Sequence, residues 1–203
     1  MELNKQLPVK NNSTLHSPHS TLTERMYNTM IKRISTIFLA LTILLCMASC
    51  LGGISATPQG AFKKADLGVW VGSKVYYLRE DSAPLLAELG DFYDYIESVS
   101  CVYDGMDKKF SYFDGIRVDT VPVGGKDIIE MIILTSDTYS TPRGVVVGDT
   151  MERLVDIYGK DYFDDGYITY SLTNDPEDIQ SERIQFYFEN GVINTIYIYS
   201  PSY

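Results

Sequence analysis

Arg183-Ile-Gln-Phe-Tyr-Phe188, Glu189-Asn190-Gly191 and Val192-Ile-Asn-Thr-Ile-Tyr-Ile-Tyr199 form the stretch that decides the fold. Two β-rich runs flank a turn bearing Asn-Gly, a strong short-range hairpin signal. A second stretch has the same form: Lys108-Lys-Phe-Ser-Tyr112, Phe113-Asp114-Gly115, Ile116-Arg-Val-Asp-Thr120. A two-residue Asp-Gly turn here would pair Tyr112 with Arg117, mixing apolar and charged side chains on one face. A three-residue loop with glycine in the left-handed bulge position pairs Tyr112 with Ile116 and Phe110 with Val118. It also sets Lys109 opposite Asp119. The same loop in the later hairpin would pair Phe188 with Val192 and Ile184 with Ile196. One apolar face then forms in each, so the three-residue loop is expected in both.

Ahead of each hairpin lies a helical pattern. Residues 81–90 read Asp-Ser-Ala-Pro-Leu-Leu-Ala-Glu-Leu-Gly, and 150–159 read Thr-Met-Glu-Arg-Leu-Val-Asp-Ile-Tyr-Gly. Met151, Leu154, Val155 and Tyr158 fall on one helical stripe. Asp149 with Glu152 resembles a capping box, and Gly90 and Gly159 sit where left-handed C-caps would stop the helices. Val69–Val71, Lys74–Leu78, Val99–Tyr103, Ile128–Leu134 and Tyr167–Leu172 are further β-rich runs. The expected fold class is therefore α+β. It consists of two tandem helix-plus-antiparallel-sheet repeats, 63–140 and 141–203, preceded by a hydrophobic signal helix.

That signal segment is legible from its chemistry. Lys32 and Arg33 lead into the apolar run Ile34–Met47, followed by Ala48-Ser49-Cys50 and then Leu51-Gly52-Gly53. A basic region, an apolar region and a small-residue cleavage site mark an export signal. Ile34–Ser49 falls short of the ~20 residues that span a bilayer. Met47-Ala48-Ser49-Cys50 resembles the lipobox of bacterial lipoproteins. The resemblance implies that Cys50 carries a thioether-linked lipid and becomes the mature N-terminus. The expected partner is then the membrane, and the compartment is extracytoplasmic. Residues 30–49 make a signal of ordinary length, ~15–30 residues. Residues 1–29, polar and aperiodic, are expected to be disordered or an upstream extension ahead of a start at Met26 or Met30. Residues 50–62 are expected to be a flexible tether.

Composition narrows the chemistry. The chain has 203 residues, 17 Lys+Arg against 27 Asp+Glu, and 45% hydrophobic residues. Residues 1–50 hold five bases and two acids, so residues 51–203 hold 12 bases and 25 acids, a net of −13. Such a domain is a poor binder of nucleic-acid phosphates. Both histidines, His16 and His19, precede the signal. Ser-His, Cys-His and Cys/His zinc arrangements are thus excluded from the folded unit. Cys101 is alone there and is expected as a small buried strand residue. Gly124-Gly125-Lys126 lacks the remainder of a phosphate loop. Asp161, Asp164 and Asp165 fail the calcium-loop spacing, and Asp104 with Asp107 reads as a turn. No metal or cofactor is expected. Carboxylate pairs for hydrolysis stay open, because their spacing is spatial.

Fifteen of the 16 tyrosines follow residue 63. In the expected register, Tyr187, Tyr197 and Tyr199 share the face opposite Ile184, Phe188 and Ile196. They form the candidate partner-binding face, since tyrosine offers contact area with a polar tip. Strands also favour tyrosine for packing alone.

Ser100-Cys101, Asp104-Gly-Met-Asp-Lys108, Phe110-Ser-Tyr112, Asp119-Thr-Val-Pro122 and Asp127–Ile132, with Thr141–Gly148 and Tyr158-Gly159, resemble a group of uncharacterised bacterial lipoproteins. Their architecture is similar to that of β-lactamase-inhibitory-protein-like domains and small envelope-assembly lipoproteins. The resemblance spans about residues 66–200. It implies a sheet face available to a protein or surface ligand, without implying inhibition of a β-lactamase. The functions so expected are a non-enzymatic binding module, a structural or assembly factor of the envelope, and a carboxylate-dependent hydrolase, in that order.

Overall fold

The structure, a computed structural model, describes residues 60–201 together with Tyr27. The signal, tether and lipidation assignments at residues 1–59, Cys50 included, lie outside the described residues.

After a single 3-10 turn at Lys64–Asp66, the elements run in order. They are β1 (Gly68–Val71), β2 (Lys74–Tyr77), α1 (Ala83–Leu89), β3 (Asp94–Val99), β4 (Met106–Ser111), β5 (Ile116–Val123) and β6 (Lys126–Leu134). Then follow α2 (Met151–Tyr158), β7 (Phe163–Asp164), β8 (Ile168–Ser171), β9 (Arg183–Glu189) and β10 (Val192–Tyr199). β1 and β2 form a two-stranded sheet. The other eight form one antiparallel sheet ordered β3-β4-β5-β6-β10-β9-β8-β7.

This corrects the expected fold class. Among the described residues 43% are strand and 13% helix, so the domain is mostly β, not a pair of helix-plus-sheet repeats. The helices are only seven and eight residues long, about two turns each. Such short helices cannot cover a sheet alone. Leu85 of α1 and Leu154, Ile157 and Tyr158 of α2 share one continuous core with the β1–β2 hairpin and one face of the large sheet. Phe110, Val118, Ile132, Ile184, Phe186 and Ile196 supply that face.

Local chemistry explains the boundaries. Thr150 caps α2, its hydroxyl accepting from Arg153 N at 3.3 Å. Asp149, expected in that role, instead accepts from Val146 N and pairs with Arg153 at 3.0 Å. Asp81 Oδ1 accepts from Ala83 N at the start of α1. Gly90 and Gly159 end the helices at φ 76° and 89°.

The first hairpin keeps the expected register: Lys109 faces Asp119, Phe110 faces Val118, and Tyr112 N donates to Ile116 O. The second does not. Val192 faces Glu189 and Ile193 faces Phe188, so the loop is the two residues Asn190-Gly191. Both have positive φ, 53° and 83°, which suits the twist of a two-residue hairpin. A bulge between Ile193 and Thr195 then restores the apolar phase, setting Ile196 against Phe186 and Ile198 against Ile184.

Cys101 is corrected as well. β3 ends at Val99, and 100–105 turn back toward β4, leaving the thiol free and exposed.

Candidate functional site

Neighbours along a strand point to opposite faces, so the residues alternating with Ile184, Phe186, Ile196 and Ile198 lie on the face away from both helices. Tyr187, Tyr197 and Tyr199 are among them, despite the altered register. The bulge at Asn194 compensates for the shorter turn.

The structure gathers two of the three. The ring of Tyr167, which enters β8, lies 5.8 Å from that of Tyr187 and 5.8 Å from that of Tyr197. Tyr187 is 42% exposed and Tyr167 36%. On the same face a polar row runs from the buried Gln185 and Thr169 to the exposed Asp165. Gln185 Nε2 donates to Thr169 Oγ1 at 3.1 Å, and Thr169 Oγ1 donates to Asp165 Oδ1 at 3.0 Å. These bonds order the strand surface beside the cluster. The acidic loop has the same local role: Asp164 Oδ1 accepts from Gly166 N.

Tyr199 belongs to a different neighbourhood. Its ring lies 5.9 Å from the Arg183 guanidinium, which donates to Ser181 O and Asp178 O. It also lines a cavity of about 270 Å³ between the β3–β4 turn, the β5–β6 pair and the chain end at Ser200-Pro201. Cys101, Asp107 and Glu130 line the same cavity.

A bulge places Glu130 there. The β5–β6 register shifts between Asp119 and Thr120, with Met131 facing Asp119 and Ile129 facing Thr120. Glu130 is the extra residue, turned out of the ladder. Burial pushes its carboxyl up to about 7, against the opposing pull of Arg79; the charges of Asp107 and Asp119 add to the rise. Glu130 Oε1 and Asp107 Oδ1 are both buried without a hydrogen-bond partner. Two carboxylates on one concave wall, one of them titrating near neutrality, can hold a proton or face a cation.

Among the described residues no group of three His, Cys, Asp or Glu side chains is placed to hold a metal, and no helix is long and apolar enough to cross a membrane.

Sequence reasoning missed Tyr167 and Glu130, and read Asp107 with Asp104 as a turn, whereas Asp107 stands in β4. For Glu130 a signal existed: it interrupts the apolar run Ile128-Ile129-Glu130-Met131-Ile132. An acid within a buried strand needs a bulge or a partner. Tyr167 and Asp107 carried none, because their neighbours come from distant strands.

No protein-family model, no curated protein and no solved structure matches this chain.

Proposed function

We propose that the chain is a membrane-anchored extracytoplasmic lipoprotein. Its β domain is a non-enzymatic binding module for a protein or other surface ligand. The tyrosines Tyr167, Tyr187 and Tyr197 are its contact surface. One observation carries the binding reading: three rings meet at 5.8 Å on the sheet face away from both helices. Pre-ordered tyrosines lose little entropy on contact, and they combine apolar area with a hydroxyl. The anchor rests on the likeness of Met47–Cys50 to a lipobox, and with it the likeness to the bacterial lipoprotein group.

The cavity favours a second reading, a carboxylate-dependent hydrolase. In it Glu130, held protonated near neutrality by burial, would donate a proton, with Asp107 on the same cavity wall. Loss of hydrolysis of a glycoside or ester panel in both Glu130→Gln and Asp107→Asn would support it.

Two experiments test the main reading. The full chain, solubilised from membranes, serves as bait beside a Tyr187→Ala/Tyr197→Ala double variant. A partner retained by the parent and lost by the variant is expected; identical recoveries would remove the tyrosine face from the proposal. Incorporation of a palmitate analogue should disappear in Cys50→Ala, and equal labelling refutes the anchor.

A further inference from the structure

The large sheet has two edges, and they are built differently. β7 is two residues long, lies between Asp161 and Asp165, and is followed by Gly166. Short strands, charged side chains (lysine above all), proline and bulges are the usual guards against unwanted pairing. β3, Asp94-Tyr-Ile-Glu-Ser-Val99, has six residues; its charges are the two acids Asp94 and Glu97, and it has no lysine, proline or bulge. All six are exposed, with Ile96 at 53% and Val99 at 75%.

The free backbone groups of β3 can be assigned. Ser100 N donates to Gly105 O at 3.0 Å, in phase with the β3–β4 register. Antiparallel bonding alternates. Asp94, Ile96 and Ser98 therefore bond to β4, while Tyr95, Glu97 and Val99 direct N–H and C=O outward. Side chains divide the same way: Tyr95 shares the core side with Phe110, and Ile96 shares the opposite side with Lys109.

We propose that β3 pairs with β3 of a second copy of this chain, antiparallel about a two-fold axis at Ile96. Self-complementarity selects the second copy. Centred on Ile96, the pairing sets Ile96 against its own equivalent, Tyr95 against Glu97 and Asp94 against Ser98. No acid faces an acid, apolar side chains meet, and side chains keep their faces. Tyr95 already donates to Glu97 of its own chain at 2.6 Å, so the pairing closes a four-member tyrosine–glutamate cluster. The neighbouring register, centred on Glu97, opposes two carboxylates and is disfavoured. Tyr95 and Glu97 supply backbone bonds on both sides of the axis, the isologous arrangement of a two-fold dimer.

The charge of the domain gives this contact a signature. Two copies of net −13 repel, so added salt strengthens self-pairing, whereas it would weaken capture of a basic peptide at the same edge. Opposed residues at the axis form a non-hydrogen-bonded pair with Cα atoms about 4.5 Å apart, within disulfide reach. The test uses the full chain in mild detergent, with Cys46, Cys50 and Cys101 replaced by serine. Ile96→Cys should oxidise to a covalent dimer at least about tenfold faster than Ile179→Cys, an exposed control outside β3, because pairing raises the effective thiol concentration. In parallel, sedimentation should show the parent shifting from monomer to dimer as salt rises, and Ile96→Lys staying monomeric. Equal oxidation of the two cysteine variants overturns the proposal. So does a parent that stays monomeric, or an Ile96→Lys variant that still dimerises.

Discussion

Arg143 Nη2 lies 2.6 Å from Asp66 Oδ2, and both side chains are almost fully buried. The two residues stand 77 positions apart, and their contact ties the start of the fold to the turn that precedes α2. The same guanidinium donates to Gly60 O, Ala61 O and Ile157 O and lies 4.8 Å from the ring of Tyr158. One cation thus collects three carbonyls and a carboxylate.

Removing one member of such a pair leaves the other charged and buried, which typically costs about 3–5 kcal/mol. Arg143→Met should reach that range, because it leaves the buried Asp66 carboxylate without its cation and removes the donor to three carbonyls. Asp66→Asn should cost less, since an amide oxygen can still accept from Arg143. Denaturant midpoints of the two variants check the order. Limited proteolysis supplies a second readout: Arg143→Met should open cleavage near Gly60-Ala61 before the sheet unfolds. Equal midpoints would remove the carbonyl-collecting role.

The two hairpin glycines separate backbone strain from crowding. Gly191 has φ 83°, and a Cβ there meets nothing within 4 Å. Gly115 has φ 89°, but a Cβ there would lie 2.7 Å from the Ser136 side chain and 3.0 Å from its backbone nitrogen. Gly191→Ala should cost only the left-handed penalty, about 1–2 kcal/mol. Gly115→Ala should cost more, because Thr135 N donates to Gly115 O and fixes the neighbouring segment in place. Urea unfolding of the two variants decides, and a larger loss at Gly191 would contradict the crowding argument.

These elements show what the sequence made legible. The helix stripe at Met151–Tyr158 and the register of Lys109 with Asp119 were readable because their determinants are local: a 3.6-residue period and a pairing that cannot mix charge with core. The second hairpin was misread by one loop residue, because the bulge at Asn194 hides the shift from any period-two pattern. The fold class failed for a related reason. Similar local patterns in the two halves suggested separate units, but β6 pairs with β10 and fuses the strands into one sheet. Tyr187, Tyr197 and Tyr199 share one side of the sheet because the bulge restores the phase, although Tyr199 stands apart from the other two, whereas the Glu130 cavity depends on strands that meet only in three dimensions.

Phe186 and Tyr187 are adjacent and point to opposite faces, which separates folding from the proposed binding. Phe186 is fully buried, and Phe186→Ala should cost about 3–5 kcal/mol. Tyr187→Ala should cost under about 1 kcal/mol, as an exposed substitution does. The expected pattern is a destabilised Phe186→Ala beside a folded Tyr187→Ala that no longer retains the partner. Thermal melts paired with the capture assay check it. A Tyr187→Ala variant that unfolds with Phe186→Ala would make the ring structural.

The Glu130 carboxyl supplies a pH signature. Its folded pKa, about 7, lies above the ordinary value of 4.5, so ionising it costs the folded state more than the unfolded one. Its contribution is therefore full below pH 4.5 and is lost as pH rises through 7. Glu130→Gln mimics the neutral acid and removes the titration. The variant should match the parent near pH 4, then gain on it through pH 4.5–7, and melt higher by a constant margin at pH 8. Asp107→Asn should move the midpoint of that gain to lower pH, because a negative charge that raises the Glu130 pKa is gone. Melting curves of parent and both variants from pH 4 to 8 decide. A Glu130→Gln difference independent of pH would mean that the buried oxygen, not its charge, sets the cost.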